Sequence, residues 1–326
     1  MVGGERVTWS ASRALDAVEP GAGAAAMATG ILSVALHLAG YETFSELWLA
    51  IGGAIWVMLV AVVGARLIAH RARWLKEADT PAALTGVAAT AVLGSRCAFL
   101  GWDVVAIAAL VIAAVAWVVL VPAVLVHWAP PTVGAHFMLC VATEAVAVLG
   151  AMVAVMLDEG WIAVLSTVAF IVGLAFYGLV LRRFAFTELE VGAGDHWVWT
   201  GALTISALAA GELVRASAAL GWGPPLRDVL RIATLAILAL AWVGYVVLVI
   251  CEVRWPRLGF DVRRWATAFP LGMTAAATMT AASSTALDGL WPIGVALTWP
   301  AVVVCAVLLL VSARHAVRSA AMPCDA

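Results

Sequence analysis

Charge is scarce in this sequence. Only 12% of its 326 residues are Asp, Glu, Lys or Arg, about half of the 25% usual for a soluble domain. That scarcity excludes an ordinary soluble fold. With 65% hydrophobic residues and a mean hydropathy of +1.06, it puts the chain in a bilayer. The few arginines are scattered through short loops, which excludes a nucleic-acid partner. Cysteine is sparse too. Cys97, Cys140, Cys251, Cys305 and Cys324 are odd in number and form no C-x-x-C. Four of them fall in apolar runs and read as small buried hydrophobes, with no disulfide or metal framework. The six histidines (His37, His70, His127, His136, His196 and His315) are dispersed, so no metal and no other cofactor is expected. There is no G-x-S-x-G, H-E-x-x-H, G-x-x-x-x-G-K-[ST] or dinucleotide loop. The chain is therefore not expected to be an enzyme, nor to drive transport with ATP on its own. No connection is long enough to hold a soluble domain, so function must reside in the apolar runs themselves.

Those runs are what the sequence has in quantity. About 20 apolar residues are needed to cross a bilayer, and ten windows qualify: 21–40, 45–68, 81–100, 103–127, 131–156, 160–181, 197–220, 226–251, 264–284 and 291–313. The expected organisation is a tail over 1–20, a ten-helix transmembrane domain over 21–313 and a second tail over 314–326. The first tail mixes Arg6 and Arg13 with Glu5, Asp16 and Glu19, and the run after it has the length of a full span. It reads as a transmembrane helix, not a cleaved signal. Arg66, Arg71, Arg73 and Lys76, then Arg182 and Arg183, then Arg254, Arg257, Arg263 and Arg264, and finally Arg314 and Arg318 cluster at alternate connections. The intervening ones run acidic or neutral, with Glu42, Glu46, Asp158, Glu159 and Asp288. The positive-inside rule then places both termini in the cytoplasm of a multi-pass plasma-membrane protein. Tryptophans such as Trp102, Trp161, Trp222 and Trp291 at the outer ends, and Trp128, Trp197, Trp255 and Trp265 at the inner ends, fit interfacial belts.

The odd-numbered spans resemble one another. "MATGILSVALHLAGY", "GVAATAVLGSRCAFLGW", "CVATEAVAVLGAMVAVMLDEGW", "TGALTISALAAGELVRASAALGW" and "LGMTAAATMTAASSTALDGLW" are rich in Ala, Gly, Thr and Ser. Each ends in a glycine with an aromatic at or just beyond it. Gly40, Gly101, Gly160, Gly221 and Gly289 are 61, 59, 61 and 68 residues apart. The even-numbered spans are bulkier and more β-branched. Small residues in one membrane helix mean close packing and no more. Five at a regular period, each first in its hairpin, point to an inner circle of odd-numbered helices around a shared surface, with the bulky helices outside.

Ionisable groups inside a membrane are functional candidates by default. Arg96, Glu144, Glu212 and Arg215 all lie on small-residue helices. Arg96 paired with Glu212 or Glu144 would be a structural lock between helices. Glu144 has no cation on its own helix within reach, and His136 is two turns away on roughly the same side. A neutral carboxyl at that depth would serve as a proton site or as a hydrogen-bond donor. Phe269 and Pro270 open the ninth span. The proline frees a backbone carbonyl, and the phenylalanine is either a packing aromatic or a plug that closes a narrow pore by occlusion and dewetting.

"MATGILSVAL" (27–36), "TAVLGSR" (90–96), "VATEAVAVLGA" (141–151), "GALTISALA" (201–209) and "RWATAFPLGM" (264–273) resemble the tellurite-resistance/dicarboxylate transporter family, which includes the plant slow anion channels. The resemblance runs in order over nearly the whole chain. It implies an all-α integral membrane protein of ten transmembrane helices, arranged as five hairpins in a quasi-fivefold ring with the odd-numbered helices lining a central pore. It also implies homotrimers with one pore per subunit and a phenylalanine gate on the ninth helix, here Phe269 followed by Pro270. The residues expected along the pathway are Gly30, Ser33, Gly94, Thr143, Glu144, Ser206 and Gly272. The partners expected are a small anion, membrane lipid and two further copies of the chain. Relatives often carry glutamine at the place of Glu144 and tyrosine at that of Thr274. The function expected is a channel or transporter for small inorganic anions or four-carbon dicarboxylates. A proton-coupled anion carrier using Glu144 and a non-conducting scaffold or sensor are the alternatives.

Overall fold

The hairpin repeat is clearest where the odd-numbered helices end. The computed structural model describes residues 22–257, 259 and 261–321. In it α1 (Gly23–Leu38) turns into α2 (Glu42–Ala69), α3 (Leu84–Phe99) into α4 (Asp103–Val126) and α5 (Met138–Leu157) into α6 (Gly160–Leu181). Next α7 (Val198–Ala219) turns into α8 (Pro224–Arg254) and α9 (Trp265–Thr285) into α10 (Trp291–Ala321). All five turns close with one backbone bond, an N–H donating to the carbonyl five residues earlier. The pairs are Tyr41 to Leu36, Trp102 to Cys97, Glu159 to Ala154, Trp222 to Ser217 and Leu287 to Ala282, at 2.8 to 3.1 Å. This helix ending requires a left-handed residue just after the C-terminus, usually glycine. Gly40, Gly101 and Gly221 supply it, with φ of +84°, +71° and +68°. In the third and fifth turns Asp158 and Ala286 adopt it at φ of 55° and 58°, while Gly160 opens α6 and Gly289 sits in a 3-10 turn. The glycine period thus marks every turn but fills the strained position in three of them.

Two layers follow from side-chain size. In the most apolar eighteen residues of the stretch that contains α7, 94% are buried, against 11% in α2. The even helices turn Val and Ile outward, as with Val104, Ile171 and Val303. The odd helices have no such face, and α1 packs on α3, α3 on α5, α5 on α7, α7 on α9 and α9 back on α1. Each even helix packs on its hairpin partner and, less extensively, on the odd helix of the next hairpin. Three of those crossings carry the same hydrogen bond: indole N–H groups of Trp56, Trp117 and Trp242 donate to the hydroxyls of Thr90, Thr143 and Thr278, at 2.8, 2.7 and 3.1 Å.

Among the described residues, eight helical stretches are long and apolar enough to cross a membrane, those containing α2 to α8 and α10. The expected ten is reached only by adding α1, which has 16 residues, and α9, which is diluted by threonine and serine. Both are buried along almost their whole length. A helix that meets other helices instead of lipid needs small residues more than apolar bulk. Short helices at Arg71–Ala78 and Glu188–Val191 lie between hairpins. α10 continues to Ala321, past the expected limit of 313. The expected tail over 1–20 and Cys324 fall outside the described residues, and the other four cysteines are free and buried.

Candidate functional site

All five odd helices begin on one face of the bundle. Gly23 at the start of α1 lies against Thr85 at the start of α3. The 3-10 turns that lead into α3, α5 and α7 touch in sequence. The Thr267 hydroxyl near the start of α9 donates to the Gly194 carbonyl, 3.3 Å away, just before α7. Five helix N-termini therefore converge there, and their aligned peptide dipoles make that end of the axis attractive to anions. Basic side chains fasten the same face. Arg257 and Arg264 both reach Glu252, at 3.2 and 2.7 Å, which ties the end of α8 to the start of α9. Hydrogen bonds from Arg263 hold the Asp261 carboxyl below its ordinary range.

Toward the other face the five odd helices enclose one narrow cavity of about 20 Å³, little more than one water requires. Every odd helix contributes to its wall: Ile31 and Val34, Val92 and Ser95, Ala145 and Val148, Ile205 and Leu208, Met273 and Thr280. None of Gly30, Ser33, Gly94, Thr143, Glu144, Ser206 and Gly272 lines it. These residues face neighbouring helices. Ser33 exchanges hydrogen bonds with Ser45 of α2, and Thr143 accepts from Trp117. A Cβ on Gly94 would stand 2.6 Å from the Cβ of Ala109 and 2.8 Å from Leu149. Gly30 abuts Val92 and Leu93, and Gly272 abuts Ile31. Smallness serves close approach between helices, and the axis is left to medium-sized apolar side chains. A larger recess of about 810 Å³ opens between α2 and α4, over α3, on the outer flank and away from the axis.

Phe269 is fully buried. It stands one turn before Met273 of the cavity wall, toward the face where the odd helices begin. Its ring meets α7 at Gly201, where an added Cβ would come within 3.3 Å of Cε1 and 2.8 Å of the Pro270 ring. Gly201 is itself one turn before Ile205 on the cavity-facing stripe of α7. Pro270 removes one backbone donor from α9, and its own carbonyl accepts from Thr274 at 2.7 Å.

The three charges buried within the odd helices, Arg96, Glu144 and Glu212, differ in what they meet. Arg96 is fully buried and pairs neither with Glu212 nor with Glu144. Its Nη2 donates to Glu42 at the start of α2, and its Nε to Ser45 at 2.8 Å. Glu42 also holds His37, at 2.6 Å. The hairpin turn brings Glu42 back beside α3, which run-by-run reading of the sequence could not weigh. Glu144 is likewise fully buried. One oxygen accepts from Ser206 at 3.0 Å, the other has no partner, and the side chain presses on Gly173 of α6. His136 is not turned to it but stacks on Trp128, 5.3 Å between ring centres. Glu212 alone among the charges lies on the cavity wall, and accepts from Arg215 at 3.0 Å. Among the described residues no cluster of His, Cys, Asp or Glu is arranged to hold a metal ion.

A model of the SLAC1 family, described as voltage-dependent anion channel, matches residues 17–313. The chain belongs to that family. Membership extends over all ten long helices as far as residue 313, and it supports an anion channel or transporter function in a multi-pass membrane protein. No curated protein matches the chain.

Proposed function

We propose that this family member conducts small anions along the axis enclosed by α1, α3, α5, α7 and α9, the inner ring of a ten-helix, quasi-fivefold bundle. Both termini lie in the cytoplasm of the plasma membrane, and three copies assemble, each with its own pathway. The face where the odd helices begin is then cytoplasmic. What supports the reading is the full burial of Phe269 against Gly201 of α7, one turn before Met273, in a bundle where all five odd helices contribute to one cavity. Its ring occludes the path, and an apolar constriction of that kind gates by excluding water and ions together. Above it the wall offers few polar groups. Selectivity then rests on helix N-termini and width, and the cargo is a small inorganic anion or a short dicarboxylate. In liposomes holding purified protein, Phe269→Ala should raise chloride and nitrate flux by about tenfold or more. A folded Phe269→Ala protein with flux no higher than wild type overturns the gate and favours a closed scaffold or sensor.

The partnerless oxygen of Glu144 supports a second reading, a carrier that moves a proton with its anion. Anion uptake should then follow an imposed pH gradient in wild type and ignore it in Glu144→Gln. Flux that is indifferent to the gradient in both removes this version.

A further inference from the structure

Glu212 is the single ionisable side chain among those lining the axial cavity, and it sits in an unexpected place for a path that is to carry anions. Its carboxylate is 8% exposed and accepts from Nη1 of Arg215, whose side chain is 44% exposed. A guanidinium has five N–H donors in a planar fork, and Arg215 spends one of them on protein among the described residues. Thr280 supplies a second, independent mark. It lines the same cavity from α9, is 1% exposed, and its hydroxyl has no hydrogen-bond partner. Its methyl group lies against Gly211, where an added Cβ would come within 2.9 Å, which sets Thr280 next to the turn of α7 that carries Glu212. Across the cavity at this level stand Leu38, Phe99 and Met152, and no second charge. Arg96 and His37, on α3 and α1, are both engaged by Glu42.

We infer that Arg215 and Thr280 form a binding site for a small planar oxyanion at the mouth opposite Phe269, and that Glu212 holds its place as a tethered carboxylate. The inference rests on the reading of the axis as an anion pathway and adds to it where the anion first docks and which chemistry it needs. The two groups have the chemistry that a two-oxygen edge requires: a guanidinium fork that spends one donor on Glu212 and a hydroxyl without a partner. The cavity holds about 20 Å³ while Glu212 is in place, too little for nitrate or a carboxylate. The Glu212 carboxylate must therefore swing away as the incoming anion takes over its bond to Arg215. One carboxylate-like group replaces another, so the bond to Arg215 is exchanged and not lost. Chloride, without a planar edge, gains less from the exchange than nitrate or formate does.

Binding is measured apart from conduction, by line broadening of chloride-35 NMR with purified protein in detergent, and nitrate is then used to displace the chloride. Removing the competing charge with Glu212→Gln should tighten chloride binding about tenfold, and Arg215→Gln should abolish it. Thr280→Val should weaken nitrate more than chloride. Arg215→Lys keeps the charge without the fork, so it should retain chloride and lose the preference for nitrate. Equal chloride broadening in wild type and Arg215→Gln overturns the site. So does an unchanged affinity in Glu212→Gln, or a nitrate preference that survives Arg215→Lys. The same proteins in liposomes separate the two readings. If Phe269→Ala does not conduct while the binding differences persist, the pathway falls and the site remains. If it conducts and the binding differences are missing, the site falls and the pathway remains.

Discussion

α7 and α2 are both long enough to cross a membrane, yet nearly all of one is buried in protein and nearly all of the other is not. They differ both in apolarity, with a mean hydropathy of 1.3 for the stretch that contains α7 against 2.3 for α2, and in the volume that their side chains carry. The inner helices bring Ala, Gly, Ser and Thr to contacts where backbones approach closely, and lipid offers no hydrophobic drive to hold them, so fit and hydrogen bonds must do it. The outer helices meet chains as apolar as themselves on one side and tolerate bulk there. Sequence changes should therefore matter according to layer and facing, even where the residue type is the same.

Glycine gives the sharpest test. Gly94 of α3 is wedged against Ala109 and Leu149, whereas a Cβ on Gly53 of α2 meets nothing within 4 Å. Gly94→Leu should lower stability by about 3 kcal/mol, because an overpacked helix contact must open. Gly53→Leu should stay within about 0.5 kcal/mol of wild type. Thermal unfolding of the two purified variants in detergent checks this. Similar losses in both would erase the distinction between the layers.

A second test crosses from one layer to the other. Arg96 belongs to the inner circuit and is wholly buried, while its partner Glu42 starts an outer helix and is 46% exposed on its side chain. Glu42→Ala leaves the guanidinium with Ser45 alone and should cost about 2 kcal/mol, less than a pair buried on both sides. Glu46→Ala, one turn along the same outer helix with no partner shown in the described residues, should cost next to nothing. The same unfolding measurement decides, and an equal loss in both variants would mean that Arg96 does not depend on its pair.

Much of the layering was legible from residues alone, because volume and period are written along the chain. The Gly–aromatic endings located all five turns, although Asp158 and Ala286 do the work of glycine in two of them. Which side of an inner helix faces the axis was not legible. In a soluble helix the polar face betrays the orientation. In α1, α5 and α7 small and apolar residues run all the way round, and rotation about the helix axis leaves no mark in composition. Composition marked Ser33, Thr143 and Ser206 as polar groups, but not that they bond to Ser45, Trp117 and Glu144 of neighbouring helices. Ile31, Val92 and Ile205, which carried no signal, form the wall. Glu144 and Glu212 differ in the same way: both are buried acids on inner helices, and only the packed bundle shows that one presses on Gly173 while the other reaches the axis. That Gly201 lies against the Phe269 ring was legible only through coordinates.

The smallest effect expected comes from the indole bonds between layers. Trp117 of α4 donates to Thr143 of α5, and Thr143 in turn donates to the Leu139 carbonyl at 2.7 Å. Trp117→Phe removes one donor, keeps most of the packed surface and leaves no buried donor orphaned. The loss should be about 1 kcal/mol. Thr143→Val removes the acceptor and orphans the indole N–H, so it should cost somewhat more. The double variant Trp117→Phe with Thr143→Val should be less destabilised than the sum of the two, by about 0.6 kcal/mol, the size typical of hydrogen bonds between membrane helices. Full additivity would mean that the 2.7 Å contact is geometry without energy, and that what joins the outer layer to the next inner helix is packing alone. A coupling of the expected size, repeated for Trp56 with Thr90 and Trp242 with Thr278, would make the indole the element that fixes how each outer helix is turned against the neighbouring hairpin. The bulky layer would then set the rotation of the small one, which composition leaves free.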